Sequence, residues 1–366
     1  MKYSDPRHRH CTLPSTVDLS SLSMFESDNS ITPPPHSEPP SGTISVDCDT
    51  LEDYARGYGF EFCDRPNRIF TDALPRFLEV FREAGVRATF FVIGRDLVEP
   101  EHRAVFEQAL AEGHELANHT WSHPRQFAGL TWGEKYQEVR RTHDLVAAQL
   151  GVEMQGFRAP CYDMNSDGAM LIERLGYRYD SSVHPSPVVS MFDLVVWIKS
   201  FFRKWELRSN CLVNGFAPAV PYFPSTDSLW RRGEPRSLIE LPTNVWPWLR
   251  IPFYGTWHLM FGAGWFRNGL NLLARCRIPL NYHFHAVELL GLHEDAIDLR
   301  FSCHPGMQLP LVAKIELIRN TILSAQDTYR LMTTAELACE AAENLTRSNA
   351  VELIPGLSAC EEALCH

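Results

Sequence analysis

Eight short strand-like runs, five of them followed by a stretch with helical apolar periodicity, constrain this chain more than any other feature. The runs cover 43–48, 86–93, 114–118, 156–158, 177–180, 238–242, 280–285 and 329–332. Helical periods fall at 72–83, 101–112, 132–150, 166–175 and 310–325. Sustained alternation of this kind calls for parallel strands joined by crossover helices. The expected fold is therefore α/β, a deformed (β/α)7-8 barrel with one long insertion. The polar residues support a barrel. Asp47, Asp49, His119, His123, Arg158, Asp180 and His285 all fall at or just beyond the C-terminal ends of predicted strands, where barrel enzymes carry their chemistry.

Two stretches interrupt the alternation. Residues 186–234 read as an insertion, and residues 346–366 as a C-terminal tail, leaving 41–345 for the barrel. Residues 1–40, with Thr32-Pro33-Pro34-Pro35 and little apolar content, are expected to be disordered. Within the insertion, 188–205 is apolar and ends in Lys199, Arg203 and Lys204. It is too short and interrupted to span a bilayer, which needs roughly 20 apolar residues. Two readings stand: an amphipathic helix in peripheral contact with a membrane, or a helix packed on the barrel.

A net charge of −11 and a pI near 5.8 exclude general nucleic-acid binding, which needs clustered Lys and Arg. The N-terminus carries no apolar run of signal-peptide length, and the ten cysteines are scattered without a C-x-x-C pair. The expectation is reduced thiols in a cytoplasmic protein, in peripheral contact with the inner face of the membrane if 188–205 binds there.

The sharpest chemical signal is His119-Thr120-Trp121-Ser122-His123, two imidazoles four residues apart. Such a pair can close on one metal ion, and a catalytic zinc site uses three protein ligands plus an open position. Asp47-Cys48-Asp49, at the tip of the first strand, offers the third ligand. Zinc suits two imidazoles and a carboxylate, while cobalt, nickel or iron can satisfy the same set.

These residues, with Arg158-Ala159-Pro160-Cys161-Tyr162, Tyr179-Asp180-Ser181-Ser182 and His283-Phe284-His285-Ala286-Val287-Glu288, resemble the polysaccharide deacetylases of the NodB-homology type, carbohydrate esterase family 4. The resemblance runs over roughly 43–340. It implies that Asp49, His119 and His123 hold a divalent metal, and that Asp47 takes a proton from the attacking water. Arg158 would orient Asp47, and a backbone N–H after Pro160, that of Cys161, would stabilise the oxyanion. His285 would protonate the leaving amine. His283 shares its parity and is a second candidate, and His304 a third that reads as structural. One departure matters: with Cys48 between the carboxylates, the roles of Asp47 and Asp49 could be reversed.

The Asp-x-Asp-Thr form and the run His285 to Gly291 are also similar to the deformylases of lipid-linked 4-formamido-arabinose. The implied activity is metal-dependent removal of an acetyl or formyl group from an amino sugar or glycolipid. Two rivals remain: hydrolysis of a small non-sugar amide or cyclic imide, and a silent barrel that binds glycolipid.

Overall fold

The computed structural model describes residues 38–188 and 214–352. The expectations for 1–37, for the apolar-basic stretch 189–205 and for 353–366 lie outside them.

The eight strands all form and are all parallel: β1 (Ser41–Asp47), β2 (Thr89–Val92), β3 (Glu115–Asn118), β4 (Gly156–Phe157), β5 (Tyr179–Asp180), β6 (Ile239–Glu240), β7 (Leu280–His285) and β8 (Arg330–Met332). Their order is β6-β5-β4-β3-β2-β1-β7, with β8 lying on the start of β1. The helices are α1 (Leu51–Tyr58), α2 (Leu74–Ala84), α3 (Pro100–Ala111), α4 (Trp132–Leu150), α5 (Ser166–Arg174), α6 (Gly255–Arg275), α7 (Leu311–Thr328) and α8 (Thr334–Glu352). This is a curled, deformed (β/α) barrel.

Strand alternation sorts β1 into two chemistries. Ile44 and Val46 join the outer apolar core with Phe77, Phe81 and Phe90. Thr43, Ser45 and Asp47 take the other face, where Thr43 meets Thr334 and both Ser45 and Asp47 meet Arg158. A barrel with so polar an interior must satisfy each buried group internally. One such group closes the seam between the two ends of the sheet. Asn281 Nδ2 on β7 donates to the carbonyls of Leu241 and Pro242 beyond β6, and to Ser181 Oγ. Asn244 Oδ1 accepts the Asn281 N–H at 2.6 Å. At the opposite end, Ala338 and Ala341 of α8 pack on Phe91, Ala117 and Tyr179. Glu115 anchors that helix by accepting the Ala335 N–H.

Helix α4 matches its expected span, because Thr131 and Glu134 form a capping box and Gly151 takes the left-handed C-cap. Helix α6 was not expected. Gly262, at φ 80°, breaks its regular backbone, and Gly264 and Gly269 thin its apolar period. Helix α1 was also missed, being only eight residues long and following directly on the Asp-Cys-Asp element. The last helix was not expected either, and it continues to Glu352, into the stretch read as tail. Strands β4 to β6 shrink to two residues each. Beyond their ends the chain turns to carry Arg158, Ser181 and Leu241 into the interior network. No helix among the described residues is long and apolar enough to cross a membrane.

Replacing Asn281 by Ala strands the Pro242 carbonyl at the seam and leaves the Leu241 carbonyl to Ser181 Oγ alone. It should cost about 2–3 kcal/mol in urea unfolding with the slope unchanged. A loss under about 0.5 kcal/mol, the scale of an ordinary surface change, would show that the seam does not depend on this amide.

Candidate metal centre and acid–base pair

The turn after β3 is the most constrained segment of the site. Thr120 and His123 hold φ of 69° and 55°, conformations uncommon for residues with a Cβ. Hydrogen bonds hold that backbone in place. Asn118 Oδ1 accepts the Thr120 N–H, Thr120 Oγ1 accepts the His123 N–H, and the Glu138 carboxylate accepts from Trp121 and Ser122.

The turn aims both imidazoles at Asp49. His119 Nε2 lies 3.3 Å and His123 Nε2 3.1 Å from Asp49 Oδ1. The other ring nitrogen of His119 faces the Arg158 carbonyl at 2.7 Å. A carbonyl can only accept, so Nδ1 carries a proton, and in the neutral ring Nε2 is the nitrogen left with a lone pair.

These residues fit a divalent cation. Asp49 Oδ1 and both ring nitrogens of His123 are buried without a hydrogen-bond partner, and one ligand atom from each of Asp49, His119 and His123 lies within 4.8 Å of the others. The electrostatics also draw positive charge. Burial would push His123 down, yet the Asp49 and Asp53 carboxylates raise it to about 10. Burial would push Asp49 up, yet His123 and His119 hold it well below the usual carboxylate range. Behind His123, Asp53 Oδ1 lies 3.6 Å from Nδ1. The same oxygen takes Arg95 and Arg56, while Oδ2 accepts from Thr50 N and Oγ1. Sequence reading passed over Asp53, although Thr50-x-x-Asp53 is a legible capping box. Its second task appears only when the His123 turn folds onto α1.

A second set lies alongside. Asp47, His283 and His285 also bring ligand atoms within 4.8 Å of one another, because Asp47 pairs with His285 and Ser45 with His283 across β1 and β7. Arg158 already answers the charge of Asp47, donating from Nη1 to Oδ1 at 2.5 Å. A second cation there would oppose a buried guanidinium, so the set reads as acid–base machinery. Its two histidines differ sharply. His283 is fully buried, its Nε2 is 2.6 Å from Tyr162 Oη, and burial with the Arg158 charge pushes it well below the usual imidazole range. His285 is partly open. Burial would lower it, but the hydrogen bond and charge of Glu288, backed by Asp47 and Asp49, raise it to about 9.

Cys161 sits in the 3-10 turn Pro160–Tyr162, at φ 54°, within electrostatic reach of His123. His304 sits on the site's rim. Its Nδ1 is 2.7 Å from Tyr58 Oη and its ring packs edge-on against Tyr54, which reaches Asp49 Oδ2 at 3.5 Å.

Asp180, also expected at the site, serves beneath it. It pairs in register with Glu240, and both are buried. Burial raises Asp180 to about 7, and burial with the Asp180 charge holds Glu240 well above the usual range. Burial and the neighbouring charge thus favour a proton on Glu240, beside Asp180. Asp180 in turn accepts from Ser182 Oγ, and Ser182 Oγ accepts the Ala159 N–H beside Arg158.

A parallel barrel with a buried Asp-His-His set and an arginine-held carboxylate at its strand ends is an architecture suited to metal-assisted hydrolysis. The comparisons narrow the class. The family model described as polysaccharide deacetylase matches residues 58–179, about a third of the chain. A peptidoglycan-N-acetylglucosamine deacetylase of Listeria monocytogenes is 30% identical over 108 residues, 30% of this chain and 22% of that protein. A chitooligosaccharide deacetylase of Sinorhizobium fredii is 44% identical over 63 residues, 17% of this chain and 27% of the relative. The chain thus aligns with about a quarter of the length of these relatives. A provisionally named polysaccharide deacetylase from Mycobacterium smegmatis shares the fold, with a TM-score of 0.55 at 16% identity over 86% of this chain and 93% of that one. These similarities do not extend to the formamido-arabinose deformylases.

Two outcomes follow for the site and its floor. Asp53→Asn should weaken zinc or cobalt binding roughly 10–100-fold in a chelator competition, while His123→Ala abolishes it; unchanged affinity in Asp53→Asn would remove Asp53 from the support of His123. For the dyad, both folded pKa values lie above the unfolded ones. Its stability is therefore full below the unfolded carboxyl pKa and is lost as pH rises, for Asp180 through about 7. Glu240→Gln removes one of the two contributions, each at most about 1.4 kcal/mol per pH unit. Urea unfolding should favour the variant progressively from about pH 5 to 8, and a pH-independent difference would refute the proton on Glu240.

Proposed function

We propose that this chain hydrolyses the N-acetyl amide of an amino sugar, with Asp47 as base, His285 as acid and a divalent metal held by Asp49, His119 and His123. The observation that carries the reading is the meeting, on adjacent strands, of the Asp49-His119-His123 set with an arginine-held carboxylate and a carboxylate-held imidazole. The names of the Listeria and Sinorhizobium relatives support N-acetylated sugars as the substrate class.

A cation in that seat supplies Lewis-acid polarisation and lowers the pKa of water toward about 7. Zinc is the metal that two imidazoles and a carboxylate suit best. The protein's own groups do the rest. Asp47 accepts a proton from the attacking water as its oxygen bonds to the amide carbon. Arg158 holds Asp47 through Nη1, while its Nε and Nη2 are taken by Ser181 O and Oγ, so the carboxylate cannot swing away. The carbonyl oxygen gains charge, and the Cys161 N–H is assigned to it. His285 then gives its proton to the nitrogen, the C–N bond breaks, and a carboxylate and an amine leave. His283 is held neutral and tied to Tyr162, which suits a wall of the site better than an acid.

The formyl reading rests on the Asp-x-Asp-Thr form and the run His285 to Gly291, the stretch 189–205 that would meet a lipid lies outside the described residues, and the N-acetyl sugar is preferred. A silent barrel has no use for a base and an acid placed together. The direct test is free-amine release from N-acetylglucosamine oligomers, compared with a polyprenyl-phosphate sugar and a small cyclic imide. Release from the oligomers alone is expected, and preference for either rival would reassign the substrate. Asp47→Asn should keep full metal occupancy while kcat falls about 10²–10⁴-fold. If Asp49→Asn behaves that way instead, the two aspartates exchange roles.

A further inference from the structure

We propose that Glu288 is the positioning residue for His285: its buried carboxylate, held by Thr256 at the start of α6, fixes the imidazole at Nδ1 and leaves Nε2 as the nitrogen that faces the reaction. This rests on the reading of His285 as the group that protonates the leaving nitrogen.

The hydrogen bonds determine the tautomer. Glu288 follows β7 in the 3-10 turn Ala286–Leu289, and its side chain is wholly buried. Thr256 Oγ1 donates its single proton to Glu288 Oε1 at 2.6 Å. Thr256 Oγ1 also lies 3.3 Å from His285 Nδ1, and Glu288 Oε1 lies 3.5 Å from the same nitrogen. Having spent its proton on the carboxylate, the threonine can only accept from the ring. Both oxygens therefore require hydrogen on Nδ1. Any second proton the ring carries sits on Nε2, and only that one can leave.

The carboxylate is itself held by charge from two elements. Its Oε2, buried without a hydrogen-bond partner, rests against Gly255, where any Cβ would collide with it. Glycine there lets an anion approach the first turn of a 21-residue helix whose N-cap residue, Tyr254, makes no side-chain cap bond. That is the positive end of the helix. From α7, the buried Lys314 donates to the Leu290 carbonyl; burial lowers its ammonium to about 8, and Glu288 is the foremost charge that opposes the fall. Asp47 and Asp49 face His285 from β1 and the loop beyond it. Burying a carboxylate with one oxygen unpaired is costly, and the group it serves is the ring of His285.

The rival is a purely structural role in joining α6, α7 and β7. The test uses zinc-loaded protein and two substrates: an N-acetylglucosamine oligomer, whose amine must be protonated to leave, and p-nitrophenyl acetate, whose phenolate leaves unaided. For Glu288→Gln, kcat on the oligomer should fall on the order of 10²-fold with KM within about twofold, while the ester rate stays within about threefold. Thr256→Val should show a smaller loss of the same amide-only pattern, which keeps the proposal testable if Glu288→Gln does not fold. Equal losses on both substrates, or no loss on the amide, overturn it. The imidazole ¹⁵N spectrum separates this proposal from the reading beneath it. The His285 Nδ1 signal should move in Glu288→Gln whether or not the oligomer is the substrate, and an unmoved signal overturns the proposal. Absence of amide hydrolysis by wild-type protein, with that signal moved, overturns only the deacetylase reading.

Discussion

The buried guanidinium of Arg158 is the interaction on which the site depends. It lies inside the barrel with essentially no exposure, over the face of Phe91 at 3.9 Å, and donates to Asp47, Ser45 and Ser181. A planar fork with donors in fixed directions can serve three residues at once, whereas a lysine ammonium could not. The backbone of the same residue accepts from His119, so one residue orients a candidate metal ligand through its carbonyl and the candidate base through its side chain. Burying such a cation is unfavourable unless it is paired and fully hydrogen-bonded. Much of the polar interior exists to satisfy that demand, from Ser181, itself shared with Asn281, to the buried pair Asp180 and Glu240.

From this follows the division of the cleft. Positive charge gathers at the base of Asp47, and this discourages a cation among Asp47, His283 and His285 although their ligand atoms converge. Negative charge gathers around His123, where Asp49 and Asp53 converge. Two similar sets of one carboxylate and two imidazoles are thus driven toward different chemistry by their second neighbours. The turn residues at positive φ, Thr120, His123, Cys161 and Tyr162, cluster in the same cleft. Strain of this kind persists where surrounding hydrogen bonds over-determine the backbone, as they do after β3.

Much of this was legible in the chain. The existence of the strands and of five helices followed from periodicity, since most of the parallel strands are buried on both faces and helices on one. His119, His123 and Asp49 were legible because their spacing is local: one tight turn and one strand tip suffice to present them. Boundaries were less legible where strands are cut short by the need to carry polar residues inward, as at β4 to β6. Helix α6 escaped because its glycines serve packing and the approach of Glu288, at the expense of helical pattern.

The choice between His283 and His285 shows where sequence stops. A strand repeats every two residues, so both rings necessarily point to one face, and no local rule separates them. What separates them comes from distant segments. Tyr162 ties down His283, while Thr256 from α6 and the Lys314-backed Glu288 surround His285. By itself the sequence determined the barrel, the turn that pairs two imidazoles and the strand tip that offers the carboxylates, because these depend on residues close together in the chain. Only the tertiary structure decided which imidazole is held neutral and which is held charged, because burial and neighbouring charge act through space and have no period along the chain.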